Sequence, residues 1–296
     1  SYNIVSMHGA KKPWEKIHTN YPVDFDLAVD GPLARSAKDL KLAMDIIIGP
    51  PSYQRKAIRI KLPGPRKTKL KEFRVGLWLD DSVYPPDKDI RNCLQKMVSD
   101  LTKEGIILKT KKPDVDLKRC HLLRGYLETS TLSHIQPPGY YEWAVSQAKT
   151  LKDEDQSPTA RWIRAMTGSH RDWNKLNEER AIIRQKWDDY FQDIDVLLCP
   201  VARIAAHNHD HTKIGNRFIQ FDEKTENYWD VVGPWNSLSQ VSYLPSTVAP
   251  IGFTPGGLPI GVQIIGPYLE DYTSIQFAML LERMNGSYKP PQGFEF

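Results

Sequence analysis

The apolar residues of this chain recur at two spacings, and the changeover between them predicts its elements. Leu40, Ala43, Met44 and Ile47 fall at helical spacing, which sets one face of a helix against a core. Ser36 stands at the start of that helix with Asp39 three residues on, a capping-box-like pair using Asp for the usual Glu, and Gly49-Pro50-Pro51 ends it. RVGLWL, Arg74 to Leu79, is a short unbroken apolar run and predicts a strand. Helical spacing returns between Asp87 and Glu104 through Ile90, Leu94, Met97, Val98 and Leu101; Gly105 stops the helix and IILKT follows. Together these make a βαβ unit, whose crossover is expected to be right-handed.

Val115 to Asp193 reads as mostly helical, with Ile182, Ile183, Trp187 and Phe191 close to one face between Asn177 and Phe191. DVLLC, Asp195 to Cys199, is closed by Pro200, and its continuous apolar run fits a parallel sheet covered on both faces. STVAPIGFTPGGLPIGVQIIGP holds two strands around a Gly-rich turn, and a helix from Tyr272 to Met284 follows. The alternation predicts an α/β fold with a mixed, largely parallel central sheet covered by helices on both faces.

Composition narrows the class. A hydrophobic share of 40%, with eight Trp, thirteen Tyr and nine Phe in 296 residues, suits a globular domain built around large aromatics. The net charge of +4 is too small for a global field that asks for nucleic acid. Nine basic residues nevertheless lie between Arg55 and Arg74 against Glu72 alone, leaving 31 basic and 35 acidic residues elsewhere. Pro63-Gly64-Pro65 breaks this stretch and apolar periodicity is missing, so residues 51–72 are expected to form a basic surface loop. Tyr53 and Phe73 flank it, yet no nucleic-acid motif accompanies them, and a solvated loop is the simpler reading. Cys93, Cys120 and Cys199 form no disulfide-like framework, no apolar run approaches the roughly 20 residues of a membrane span, and the first residues lack a signal peptide's apolar centre. A soluble cytoplasmic protein without a membrane partner is expected.

Five segments carry a resemblance: GPLARSAKDL from Gly31, FRVGLWLDD from Phe73, HRDWNKLNEERAIIRQKW from His170, DIDVLLCPVA from Asp193, and LPSTVAPIGFTPGGLPIGVQIIGPYLED from Leu244. In this order and at about this spacing they are similar to the amidase-signature family. The resemblance implies hydrolysis of carboxamide C–N bonds through a seryl acyl-enzyme, with a Lys and a second Ser relaying the proton and backbone N–H groups holding the oxyanion. It implies no metal or organic cofactor. SYNIVSMHG, the start of the chain, looks like the stretch just after the family's catalytic core, and Ser1 is not an initiator Met. The chain is therefore expected to be the C-terminal portion, 1–296, of a single amidase-signature domain, with no catalytic residue of its own and no activity alone.

Other chemistry competes with this. Ser169-His170 are neighbours without a GxSxG elbow, and Ser1 as an N-terminal nucleophile has nothing else around it that resembles such an enzyme. His207, His209, Asp210 and His211 supply metal-ligand types, but alternating His on a loop also line polar surfaces. Trp229, Trp235 and Tyr243 precede the Gly-rich turn and are candidates for a substrate-pocket wall, with core packing as the competing role. Tyr140 and Trp143, after Pro137-Pro138-Gly139, are candidates for a loop over the same pocket. The expected ligand is a small-molecule amide. The alternative is a non-catalytic subunit or degenerate fragment that pairs with a separate N-terminal half, because a sheet cut at one edge exposes unpaired backbone.

Overall fold

The computed structural model describes residues 1–6 and 26–286, with 288, 290, 293 and 294; Met7, His8 and Gly9 of the SYNIVSMHG segment lie outside them. Helix α1 (Ala37–Ile47) starts where Ser36 Oγ accepts the Asp39 amide at 3.0 Å. β1 (Arg74–Leu77), α2 (Lys88–Lys103) and β2 (Ile107–Lys109) form the expected unit, with β1 and β2 parallel in the register Arg74 to Ile107. Asp87 caps α2 by accepting the Ile90 amide at 2.8 Å. Four helices follow: α3 (Leu117–Thr131), α4 (Tyr140–Ala148), α5 (Pro158–Thr167) and α6 (His170–Asp193). α6 begins earlier than its apolar face suggested, because Ser169 and Asp172 form a capping box.

β3 (Val196–Pro200) is followed by β4 (Phe218–Phe221), β5 (Lys224–Asn227), α7 (Tyr228–Val232) and α8 (Pro234–Ser242). The antiparallel β4–β5 ribbon and α8 have little signature in the sequence: the ribbon has only four residues a strand, apolar FIQF against polar KTEN, and α8 is opened by Pro234 at its first turn. β6 (Ser246–Phe253), β7 (Pro259–Ile265) and α9 (Asp271–Asn285) complete the chain.

The main sheet has the order β2-β1-β3-β7-β6. β1 is parallel to both its neighbours, while β7 is antiparallel to β3 and to β6. Four of the five strands thus point the same way and β7 runs against them. β3 lies at the centre with all five residues buried. Its pleat sends Leu197 and Cys199 into a core with Trp187, Phe191, Trp235 and Leu238, and Val196 and Leu198 into a core with Phe73, Leu94, Phe277 and Leu281. Covering both faces is why its apolar run is continuous, and each such side chain removed from water contributes about 1.5–3 kcal/mol.

Residues 51–72 contain only single 3-10 turns, at Ser52–Gln54 and Leu70–Glu72. Arg66 is not a free surface charge, however. Its Nε and Nη2 donate to Glu270 at 2.6 and 2.7 Å, and its Nη1 donates to the carbonyls of Phe191 and Ile194 at 2.7 and 3.1 Å. Arg74 likewise donates from its backbone amide and Nη2 to buried Asp195 at 2.9 and 2.8 Å. The basic run therefore straps one end of the sheet to α6 and α9. Among the described residues no helix is long and apolar enough to cross a membrane.

Candidate functional site

α3, α5 and α7 bring a set of charged side chains into the interior that no motif announces. His121 and Arg124 lie one turn apart on α3 and are both more than nine-tenths buried. Arg161 of α5 donates through Nη2 to both oxygens of Asp230 on α7, at 2.7 and 3.0 Å, and His121 Nε2 meets the same carboxylate at 3.0 Å. Burial pushes the Asp230 carboxyl up, but the hydrogen bonds from His121 and Arg161 outweigh it and hold the group down to about 2. Burial lowers the His121 pKa, against the Asp230 carboxylate, which raises it. An ionised carboxylate only accepts, so Nε2 carries a proton towards Asp230. Among the described residues no partner meets the buried Nδ1 or the buried Nε–H of Arg124, whose Nη1 donates to Glu128 at 2.5 Å.

The walls of this nest are well pinned. Arg203, 1% exposed, donates to both oxygens of Glu226 at 2.5 and 3.1 Å and to the carbonyls of Pro85 and Asp230, each at 3.1 Å. Tyr84 packs edge-on against His121, and burial pushes its phenol up to about 12. Gly233 joins α7 to α8 where no larger residue fits: a Cβ would lie 2.6 Å from the Trp229 carbonyl, 2.9 Å from His121 Cε1 and 3.1 Å from Arg124 Nη2.

Of the five aromatic candidates, Trp229 reaches this nest. It is 41% exposed, and the Arg124 guanidinium sits 5.9 Å from its ring centroid. Trp235 is fully buried core; it donates from Nε1 to the Tyr84 carbonyl at 3.1 Å and packs edge-on against Trp78. Tyr243 adopts φ +62° at the end of α8, bonds Asp26 through its hydroxyl and stacks on Tyr2 at 4.2 Å, with the Arg180 and Arg184 guanidiniums at 4.6 and 4.9 Å. It fastens the beginning of the chain to α6. Tyr140 and Trp143 lie half exposed on α4, Trp143 at 6.1 Å from Trp162, the neighbour of Arg161. Two open clefts of about 500 and 440 Å³ lie beside α5, and none of the five aromatics lines either.

His209 and His211 stack at 6.2 Å on an exposed loop, and among the described residues no group of three or more His, Cys, Asp or Glu is placed to hold a metal ion. Cys120 and Cys199 are buried, which pushes both thiols up to about 12 and leaves them protonated. Ser169 spends its hydroxyl on the α6 cap. The polar nest itself had one sequence signal: His121 and Arg124 interrupt the apolar series Leu117, Cys120, Leu123 and Leu127, all buried on α3. A charged residue inside a core stripe needs a partner.

A second feature bears on function. β6 is an edge strand of eight residues, STVAPIGF, without a charge. Thr247, Ala249 and Ile251 are buried, while Val248 and Phe253 are 51% and 60% exposed. A bulge between Pro250 and Gly252 breaks its register with β7. α1 likewise exposes Leu42 and Ile46.

The amidase family model matches residues 1–275. A glutamyl-tRNA(Gln) amidotransferase subunit of Saccharolobus solfataricus is 25% identical over 278 residues, which are 86% of this chain and 54% of that protein. The same subunit from Synechococcus is 36% identical over 112 residues, 38% of this chain and 21% of that protein. Among solved structures, the Thermotoga maritima form of this amidotransferase subunit covers 95% of this chain and 56% of its own at a TM-score of 0.66 and 18% identity. A bacterial aryl acylamidase of the amidase-signature enzymes covers 86% and 52% at 0.61 and 21%. The chain thus spans about half the length of the curated relatives it matches. The solved structures share its fold. With the sequence match running along nearly the whole chain, the protein belongs to the amidase family.

Proposed function

We propose that this chain forms the C-terminal half of an amidase that cleaves carboxamide C–N bonds through a seryl acyl-enzyme, supplying sheet and pocket wall while another segment carries the Ser and Lys. The observation behind this reading is the family match along residues 1–275 at about half the length of the relatives. Five serine hydroxyls are engaged in the architecture: Ser36, Ser157 and Ser169 cap helices, and Ser239 and Ser246 bond Gln263. No metal or organic cofactor enters this chemistry. The test is to incubate the chain with a panel of simple aryl and alkyl amides and with a fluorophosphonate serine probe. No turnover and no labelled serine are expected; steady turnover with a labelled serine would show that it carries its own nucleophile.

The uncharged β6 edge and the exposed aliphatics of α1 favour a second reading at the level of assembly. The chain would act as a subunit that completes its sheet on a separate N-terminal half, as relatives named amidotransferase subunits suggest. Such a chain should self-associate when alone. A cooperatively unfolding monomer at high concentration, by sedimentation and urea titration, would remove the partner requirement.

A further inference from the structure

We infer that residues 53–61 are a docking surface for the face of an anionic phospholipid bilayer. Amide cleavage leaves this stretch without a role. Residues 46–71 hold eight Lys and Arg and no Asp or Glu. Arg66 turns inward onto Glu270, and Ile60 and Leu62 pack on the cluster of Ile4, Met44 and Ile275. Arg59 and Lys61 alternate with these anchors and are exposed, as are Arg55 and Lys56 in the turn before them. Arg55 donates through Nε to the Pro50 carbonyl at 3.1 Å, and Arg59 donates to the carbonyls of Arg55 and Ile58. Backbone oxygens thus gather these side chains without cancelling their charge. The nearest acids along the chain, Asp45 and Glu72, are taken by Lys41 and Lys69.

Two apolar side chains stand among the cations: Tyr53 is 62% exposed and Ile58 45%. A bilayer surface answers both features at once, since lipid phosphates neutralise the cations while Tyr and Ile enter the boundary beneath the headgroups. A single-stranded nucleic acid would answer the charge, but it rests on several stacking rings, and this stretch offers Tyr53 alone and an Ile that has nothing to stack on. A peptide that adds a strand needs a sheet edge, and residues 53–61 contain no strand. No run of this chain is long enough to span a bilayer, and contact with its surface needs none.

The test is flotation of the whole chain with vesicles of phosphatidylcholine and phosphatidylserine in equal parts, because bound chain rises with the lipid while self-associated chain sinks. The chain should float with these vesicles at low salt, stay down with pure phosphatidylcholine, and be released as salt screens the headgroups. Each cation at such a surface changes partitioning about fivefold, so the combined Arg55→Gln, Lys56→Gln, Arg59→Gln, Lys61→Gln variant should bind at least about 100-fold more weakly. Ile58→Asp alone should weaken binding about tenfold. A charge-matched variant that changes exposed Lys149, Lys175, Lys213 and Lys224 to Gln should float like the unaltered chain. All of these positions are at the surface, and circular dichroism checks that each variant keeps its fold. Failure to float at low salt, equal binding to neutral vesicles, equal loss in the two quadruple variants, or tighter binding to a single-stranded oligonucleotide than to the vesicles at one salt would each overturn the proposal. None of these readouts depends on amide turnover.

Discussion

At one border of the sheet β2 is three residues long, and Lys109, Lys111 and Lys112 follow one another at its end and just beyond it. At the other, β6 runs for eight residues with no charge and with Val248 and Phe253 half in solvent. Lys111 is paired with Asp193 at 3.0 Å and Lys112 lies 4.7 Å over the Trp78 ring, so these lysines belong to a finished surface. Short length and lysine discourage a further strand, whereas a long neutral edge invites one. Among the described residues, the contrast marks β6 as the border of the sheet that no strand pairs.

The comparison can be tested by substitution. The largest effect should come from showing that β6 is open but not loose: Ile251→Ala, which empties a buried position on its inner face, should cost about 2–5 kcal/mol in urea unfolding, while exposed Ile107→Ala on β2 should stay within about 0.5 kcal/mol. A loss below about 1 kcal/mol for Ile251→Ala would mean that β6 is not anchored.

Asp230 sits on neither border, so it separates stability from association. Its folded pKa is about 2, below the ordinary 3.8, so it adds stability that is fully present above about pH 4 and is lost as pH falls towards 2. The contribution is on the order of 2 kcal/mol. Asp230→Asn should flatten that part of the acid unfolding curve without altering association; an unchanged acid limb would refute the role given to Arg161 and His121.

The smallest change in stability, and the most direct reading of the edge, is expected from Val248→Lys with Phe253→Lys. Stability should move by no more than about 0.5 kcal/mol each, while concentration-dependent self-association by sedimentation is lost. Lys109→Val at the other border should have no comparable effect, because three residues offer too little edge to pair. Association that persists with both lysines in place would show that β6 is not the sticky surface.

Much of this architecture was legible beforehand. Ser36 is a local cap, and Ile90, Leu94, Met97 and Leu101 repeat along one face, so these two helices follow from neighbours a few residues apart. The aromatic candidates were less legible. Trp229, Trp235 and Tyr243 lie within fifteen residues of each other, yet one rims the nest, one fills the core and one clamps Tyr2. Their side-chain type says that each ring seeks burial, and it does not say against what.

The sequence by itself determined the α/β class, the order of most elements, the both-sided burial of β3 and the amidase resemblance, because each is written in spacing or in contiguous motifs. Only the tertiary structure decided which charges meet. His121 and Asp230 stand 109 positions apart, and Arg66 and Glu270 stand 204 apart. Such pairs are created by packing between elements, and no periodicity along the chain carries that information. The unguarded border at β6 is of the same kind: its residues were in plain view as a strand, but its position at the edge depended on β7 pairing with β3.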